Sequence, residues 1–283
     1  MPLPKLLIIT GKGGVGKSAV AAALAHGFSL QNKKTALIEL AEERLKNFDV
    51  PHICIKPDEA FREYATQLLG HKALYKLLLD NRLVSNFIHA TPGLNEILCL
   101  GKLVALAESD SFDQLILDAP ATGHTVALFD APRIALAALQ HGLLKKRVQN
   151  ILRFLHDPLM TGVVLVTLPE ELPVEEGLEL YQHLQQSLNL KITATLLNGC
   201  AEDLSPDILR FLEHPPEGGA AGPWVEWLRQ EQTRQRREKE LIQQWQTAVK
   251  EPTCLLPWIP SMPSERQLKE SFAAIVTPWI SNL

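Results

Sequence analysis

The chain has 283 residues, 46% of them hydrophobic, with a net charge of −4 and a pI near 6.2. This suits one α/β domain with a large core, and the mild acidity gives no global reason to bind nucleic acid or an anionic membrane. Cys54, Cys99, Cys200 and Cys254 are far apart and form no C-x-x-C pair, which argues against a zinc site or a disulfide framework. Only Met1 to Lys5 precede the first apolar run, and no run approaches a membrane span. A cytoplasmic protein with no integral membrane segment is therefore expected.

Short apolar runs alternate with longer helical stretches along the chain. This is the pattern of a doubly wound, mostly parallel sheet with helices on both faces. Strands are predicted at residues 5–10, 35–39, 53–55, 114–118, 162–167, 192–197 and 253–256. Helices are predicted at 19–30, 58–69, 73–79, 94–108, 134–155, 174–187, 223–249 and 264–276. The stretch HPPEGGAAGP, His214 to Pro223, reads as a loop before a long charged helix. Interspersed acidic and basic residues in RQEQTRQRREKE, Arg229 to Glu240, predict a solvated helix with internal ion pairs rather than a nucleic-acid surface. We read residues 1–283 as a single domain with a small helical subdomain, its elements near 58–108 and 130–156 offering a surface to a client or partner.

GKGGVGKS, Gly11 to Ser18, sits between the first strand and the first helix, in the pattern and the context of a phosphate-binding loop. Gly11, Gly13, Gly14 and Gly16 let the backbone fold tightly around phosphate oxygens, with Val15 and Ala19 in the same segment, and the helix adds its positive end. Lys17 is placed for the β- and γ-phosphates of ATP, and Ser18 for a magnesium ion. Asp118, at the end of a buried strand, is the second candidate for magnesium.

Lys12 follows the first glycine directly, and KGGVGKS as a whole resembles the deviant phosphate-loop ATPases, among them the arsenical-pump ATPases and the targeting factors for tail-anchored proteins. The resemblance implies that Lys12 acts across a homodimer interface on the partner's ATP; by spacing alone it also reads as a solvated surface lysine. DAPATGHT, Asp118 to Thr125, is similar to that family's switch segment, and ATPGLNEILCLGKL and VTLPEELPVEEGLEL to two further segments. TLLNG, Thr195 to Gly199, is similar to the segment whose asparagine reads the adenine edge, so Asn198 is the base-recognition candidate, although Asn-Gly is also a common turn dipeptide. LPWIPSMP, Leu256 to Pro263, would form the loop over adenine, with Pro257 at the base.

Two departures from the family matter. By register after the second strand, Ala41 stands where the family carries the aspartate that positions the attacking water. Glu39, Glu42 and Glu43 are the nearby substitutes, and slow hydrolysis is expected. The chain has three methionines and no cysteine between the switch and the following strand, so neither a methionine-rich groove for a transmembrane helix nor a metalloid site is expected. Leucine-rich stretches at 61–87 and 134–155 could offer a smaller apolar surface, or simply cover the sheet. The resemblance implies a magnesium-dependent homodimeric switch ATPase with an unknown protein client. Two alternatives stand beside it: a nucleotide-gated binding module with negligible hydrolysis, and a partitioning-type ATPase acting on DNA or membrane, for which the mixed-charge C-terminal segment is a poor match.

Overall fold

A computed structural model of the chain describes residues 3–40, 50–69, 93–214, 222–258 and 265–281. The first half carries β1 (Leu6–Gly11), α1 (Lys17–Leu30), β2 (Thr35–Leu40), β3 (His52–Ile55), α2 (Pro57–Leu69), α3 (Leu94–Glu108), β4 (Gln114–Asp118), α4 (Thr122–Ala138) and α5 (Leu143–His156). The second half carries β5 (Thr161–Thr167), α6 (Glu171–Gln182, continued by one π turn), β6 (Ile192–Cys200), α7 (Pro206–Glu213), α8 (Gly222–Ala248), β7 (Thr253–Pro257) and α9 (Glu265–Ser281).

All seven predicted strands form, and they make one parallel sheet in the order β3-β2-β4-β1-β5-β6-β7. The reason lies in their composition. β1, β4 and β5 are buried along their whole length, and alternate residues feed opposite cores. Leu6, Ile8, Leu115, Leu117, Val163 and Leu165 face the helices from α3 to α6 and α8, whereas Leu7, Ile9, Ile116, Val164 and Val166 face α1 and α9. The expected two-faced architecture is thus observed.

Three elements depart from the sequence expectation. The single helix expected over 134–155 is two: α4 ends at Ala138, and α5 begins after Gly142, whose φ of 110° breaks the helical path. α4 also begins at Thr122, inside the switch segment. The short α7 was not anticipated; Ser205 caps it by accepting from the Ile208 N–H. The helix expected at 73–79 lies outside the described residues.

The charged helix α8 is tied to the sheet by its last turns. Trp245 is fully buried and donates Nε1–H to Thr195 Oγ1 in β6 at 3.1 Å, and Glu238 accepts from the Ala201 N–H at 2.7 Å. Its exposed charges pair as expected: Arg234 with Glu231 at 2.6 Å and Arg237 with Glu240 at 3.1 Å within the helix, and Arg237 with Glu171 at 2.6 Å outside it.

Candidate functional site

In a parallel sheet every strand delivers its C-terminal end to the same edge, and ligands gather there. Here that edge holds the glycine loop after β1, Asp118 at the end of β4 and Asn198 near the end of β6.

The loop is shaped by what presses on it. A Cβ added at Gly11 would lie 2.1 Å from the Val166 carbonyl oxygen in β5, so only glycine fits that close approach. Gly16, with φ 91°, takes a conformation that L side chains rarely adopt, and a Cβ there would lie 2.2 Å from Asn198 Nδ2. On the other side, an added Cβ at Gly13 or Gly14 would meet nothing within 4 Å. The result is a stretch of uncovered backbone at the N-terminus of α1, where peptide dipoles favour an anion. Val15 is buried and Ala19 half-buried beneath it.

Lys17 is buried, and its Nζ donates to the Lys12 carbonyl at 2.7 Å, so the ammonium curls over the loop. Ser18 Oγ donates to Asp118 Oδ2 at 2.5 Å. That contact joins the start of α1 to the end of β4 and places a hydroxyl beside a carboxylate, both hard oxygen donors, as a magnesium ion requires. The residues present therefore fit that ion.

Glu39 pairs in register with Asp118 on the neighbouring strand, is 2% exposed, and is hydrogen-bonded to His52 Nε2 at 2.8 Å. Ala41, Glu42 and Glu43 lie outside the described residues. Lys12 makes an ion pair with Glu176 of α6 in its own chain, half-exposed on both sides. Asn198 donates Nδ2–H to the Val15 carbonyl at 3.0 Å, which braces the loop from β6. Pro257 ends β7, and Trp258 after it donates its backbone N–H to Cys200 O at 2.7 Å. The remainder of the expected adenine loop, residues 259–263, is outside the described residues.

Two contacts near the site could not be read from the sequence. Buried Thr125 links the switch segment to β1, its Oγ1 lying 2.5 Å from Pro120 O and 3.3 Å from Thr10 Oγ1. Glu176 is one of several glutamates in α6, and nothing local distinguishes it. The motif around Thr125 was legible, but its contacts were not.

Behind the switch helix, α3, α4 and the start of α5 line an open pocket of about 750 Å³, with Leu94, Ile97, Val126, Ala131, Ile134 and Leu139 on its surface and Gly123 on its wall. Its size is that of a small-ligand pocket or of a groove for an apolar side-chain row. Three cysteines are inert by environment. Burial pushes the thiols of Cys99 and Cys200 up to about 12 and that of Cys254 to about 11. Among the described residues, no helix is long and apolar enough to cross a membrane.

A family model of anion-transporting ATPases matches residues 4–41 and 46–145. The chain is similar to the ATPase BagA of Mycobacterium tuberculosis, 28% identical over 221 residues that cover 69% of this chain and 64% of that protein. It is also similar to the arsenical pump-driving ATPase of Acidiphilium multivorum, 27% identical over 70% of this chain and 40% of that protein. An ATPase ASNA1 homologue of Cryptosporidium parvum is 28% identical over 50% of this chain and 40% of its own length. The chain thus spans less than two thirds of the length of the curated relatives it matches.

Proposed function

The chain belongs to the anion-transporting ATPase family, and from that premise we propose that it is a magnesium-dependent ATPase whose nucleotide state governs the pairing of two copies and the binding of a protein client. The observation that carries this reading is the contact of Ser18 with Asp118 at the foot of the glycine loop, which joins the two halves of a phosphate and metal site 100 residues apart in the chain.

Each residue then has a task. The uncovered backbone at Gly13 and Gly14 takes the phosphate oxygens, and Lys17 exchanges its bond to the Lys12 carbonyl for one to the β- and γ-phosphates. Ser18 and Asp118 hold magnesium, which when bound neutralises phosphate charge. Lys12 leaves Glu176 to meet the partner's nucleotide, where it stabilises charge that develops in the transition state. Asn198 keeps the loop in shape and lies at the base end of the site. Orientation of water falls to Glu39, Glu42 or Glu43, and turnover is slow because none of them is the family's aspartate. Thr125 ties the switch segment to β1, so that a change at the phosphates moves α4. α4 forms a wall of the apolar cavity, and an apolar segment of a client fits there.

A second reading, a nucleotide-gated binding module with negligible hydrolysis, is favoured by the engagement of Glu39 with His52. One experiment separates the two: single-turnover ATP hydrolysis with magnesium beside light scattering, on the wild type, Lys12→Ala and Lys17→Ala. The ATPase reading expects turnover that tracks association, needs Lys12, and vanishes with nucleotide binding in Lys17→Ala. Association without turnover would select the binding module, and unchanged affinity and rate in Lys17→Ala would sink the site assignment.

A further inference from the structure

We propose that the turn between α4 and α5, together with the outward face of α5, is a docking surface for a bilayer that carries anionic lipid. This goes beyond the nucleotide reading above and does not depend on it.

The charge of this region opposes that of the chain. The net charge is −4, yet the 26 residues from Ala131 to His156 contain five cations, Arg133, Lys145, Lys146, Arg147 and Arg153, and no Asp or Glu. Arg133 is held by Asp130 at 2.7 Å, and Arg147 lies over the Tyr64 ring of α2 at 4.7 Å. Lys145 donates to the Gln140 carbonyl at 3.0 Å, a bond that keeps the ammonium at the turn without neutralising it. Lys146 and Arg153 are exposed and, among the described residues, form no ion pair; with Gln149 they share the outward face of α5. On α3, which packs against α5, Glu108 accepts from Asn150 at 3.1 Å and Glu96 lies on the pocket wall. The charged helix α8 is the contrast, since there Arg234 and Arg237 have glutamates of their own helix beside them.

The turn also departs from what a helix end favours. The positive N-terminus of a helix attracts acidic side chains and disfavours cations. α5 has no acid in its first turn, places Lys145 and Lys146 among its first four residues, and has no side-chain cap at Gly142. Leu143, its first residue, is 64% exposed, and Ile134, one turn before the end of α4, is 62% exposed. Each of these choices weakens the helix end in water, and such departures gather where a surface is used. An anionic bilayer compensates all of them at once. The cations meet headgroups, and the two aliphatic side chains enter the headgroup boundary.

Lipid fits this surface better than an acidic protein does. The centres of protein interfaces are rich in Tyr, Trp and Phe and poor in Lys. The stretch from Arg133 to Arg147 has two lysines and none of those aromatic residues. With so few cations and two aliphatic side chains, the attachment is reversible and sensitive to salt.

The test is cosedimentation with vesicles, without nucleotide, on the wild type, Lys145→Gln/Lys146→Gln and Leu143→Gln. Arg229→Gln/Arg236→Gln, which changes the net charge equally at exposed positions of α8, is the control. Vesicles of two parts phosphatidylcholine to one part phosphatidylserine should bring down the wild type, whereas pure phosphatidylcholine should not. Each cation near an anionic surface is worth about fivefold in partitioning, so the double lysine variant should lose more than about tenfold. Leu143→Gln should lose severalfold, added salt should weaken binding, and the α8 control should bind as the wild type does. The lysine variant should melt no lower than the wild type, because cations leave a helix N-terminus, so misfolding would not account for its loss. A wild type that stays in solution with the anionic vesicles would overturn the inference and leave an acidic protein as the partner to seek. Undiminished binding by the lysine variant would overturn it as well. So would an equal loss in the α8 control, since net charge alone would then be acting.

Discussion

Asn198 Nδ2 lies 3.0 Å from the Val15 carbonyl and 2.2 Å from the point where a Cβ on Gly16 would stand. The amide and the missing side chain therefore share one space, and the loop's curvature depends on both. Asn198→Ala leaves the Val15 carbonyl without this donor, at a cost of about 1 kcal/mol. For a domain of this size that is roughly 2–4 °C in Tm. Thermal melts with and without ATP and magnesium should show the larger loss in the presence of nucleotide, because the relaxed loop also binds less tightly.

Gly11→Ala should be more severe and more local. The added methyl would meet the Val166 carbonyl at 2.1 Å, so β1 and β5 must part at the mouth of the loop. Overpacking of this kind costs about 1–3 kcal/mol. The far-ultraviolet circular dichroism should stay near wild type while ATP binding is lost.

The ion pair of Lys12 with Glu176 predicts a gain rather than a loss. Lys12 cannot serve a neighbouring subunit while it is held by its own α6, and Glu176→Gln removes the holding charge. The pair is exposed and worth at most about 1 kcal/mol, so Tm should barely move, whereas ATP-driven association should tighten by up to about fivefold. Sedimentation of the variant across an ATP series measures it, and unchanged association would mean that Glu176 does not restrain Lys12.

Gly177→Ala tests the packing that positions α6. A Cβ at Gly177 would lie 2.8 Å from Trp245 Cζ3, and the indole is fully buried and fixed by its bond to Thr195. A loss of about 1–3 kcal/mol in urea unfolding is expected. The melting transition should stay cooperative.

Alkaline pH should destabilise the fold through the buried thiols. Cys99 and Cys200 ionise near 9.0 when unfolded and are pushed up to about 12 in the fold. A raised folded value means that the stabilising difference is complete below pH 9 and is lost as pH climbs from 9 toward 12. Urea midpoints should fall over that window, and Cys99→Ala should flatten the fall. At neutral pH, thiol reagents should reach Cys99, Cys200 and Cys254 only on unfolding.

Periodicity and composition located every strand among the described residues, because each has a short, mostly apolar run, and in β1, β4 and β5 the whole strand is buried, a pattern that needs no long-range information. The break between α4 and α5 was missed because leucines continue at helical spacing through 134–155, whereas the chain turns extended at Leu139, with ψ 119°, and takes φ 110° at Gly142 before helix resumes. The glycine loop was legible as a motif, and beside it Ser18 and Asp118, both singled out from the sequence, are in contact. The partners of Lys12 and Thr125 were not legible. Both contacts join segments distant in sequence, and in the case of Glu176 the residue is one of several equivalent carboxylates until the fold selects it. The choice among Glu39, Glu42 and Glu43 was left open by the sequence, and of the three only Glu39, near the end of β2, lies among the described residues, beside His52.

The position of β1 bears on how the molecule comes into being. The strand that carries the glycine loop is made first, yet both of its neighbours, β4 and β5, come from residues 114–118 and 161–167. During synthesis this mostly apolar strand must therefore wait, unpaired on both edges, for more than a hundred residues. Pairings so distant in sequence are slow to form and expose strand edges meanwhile. The loop cannot take the shape it has in the fold until β5 supplies the Val166 carbonyl against which Gly11 is pressed and β6 supplies Asn198. A nascent chain that stops short of residue 198 thus holds the whole glycine-loop sequence without its Asn198 brace, and on the nucleotide reading proposed above, capture of the ligand would mark the moment when most of the sheet has closed.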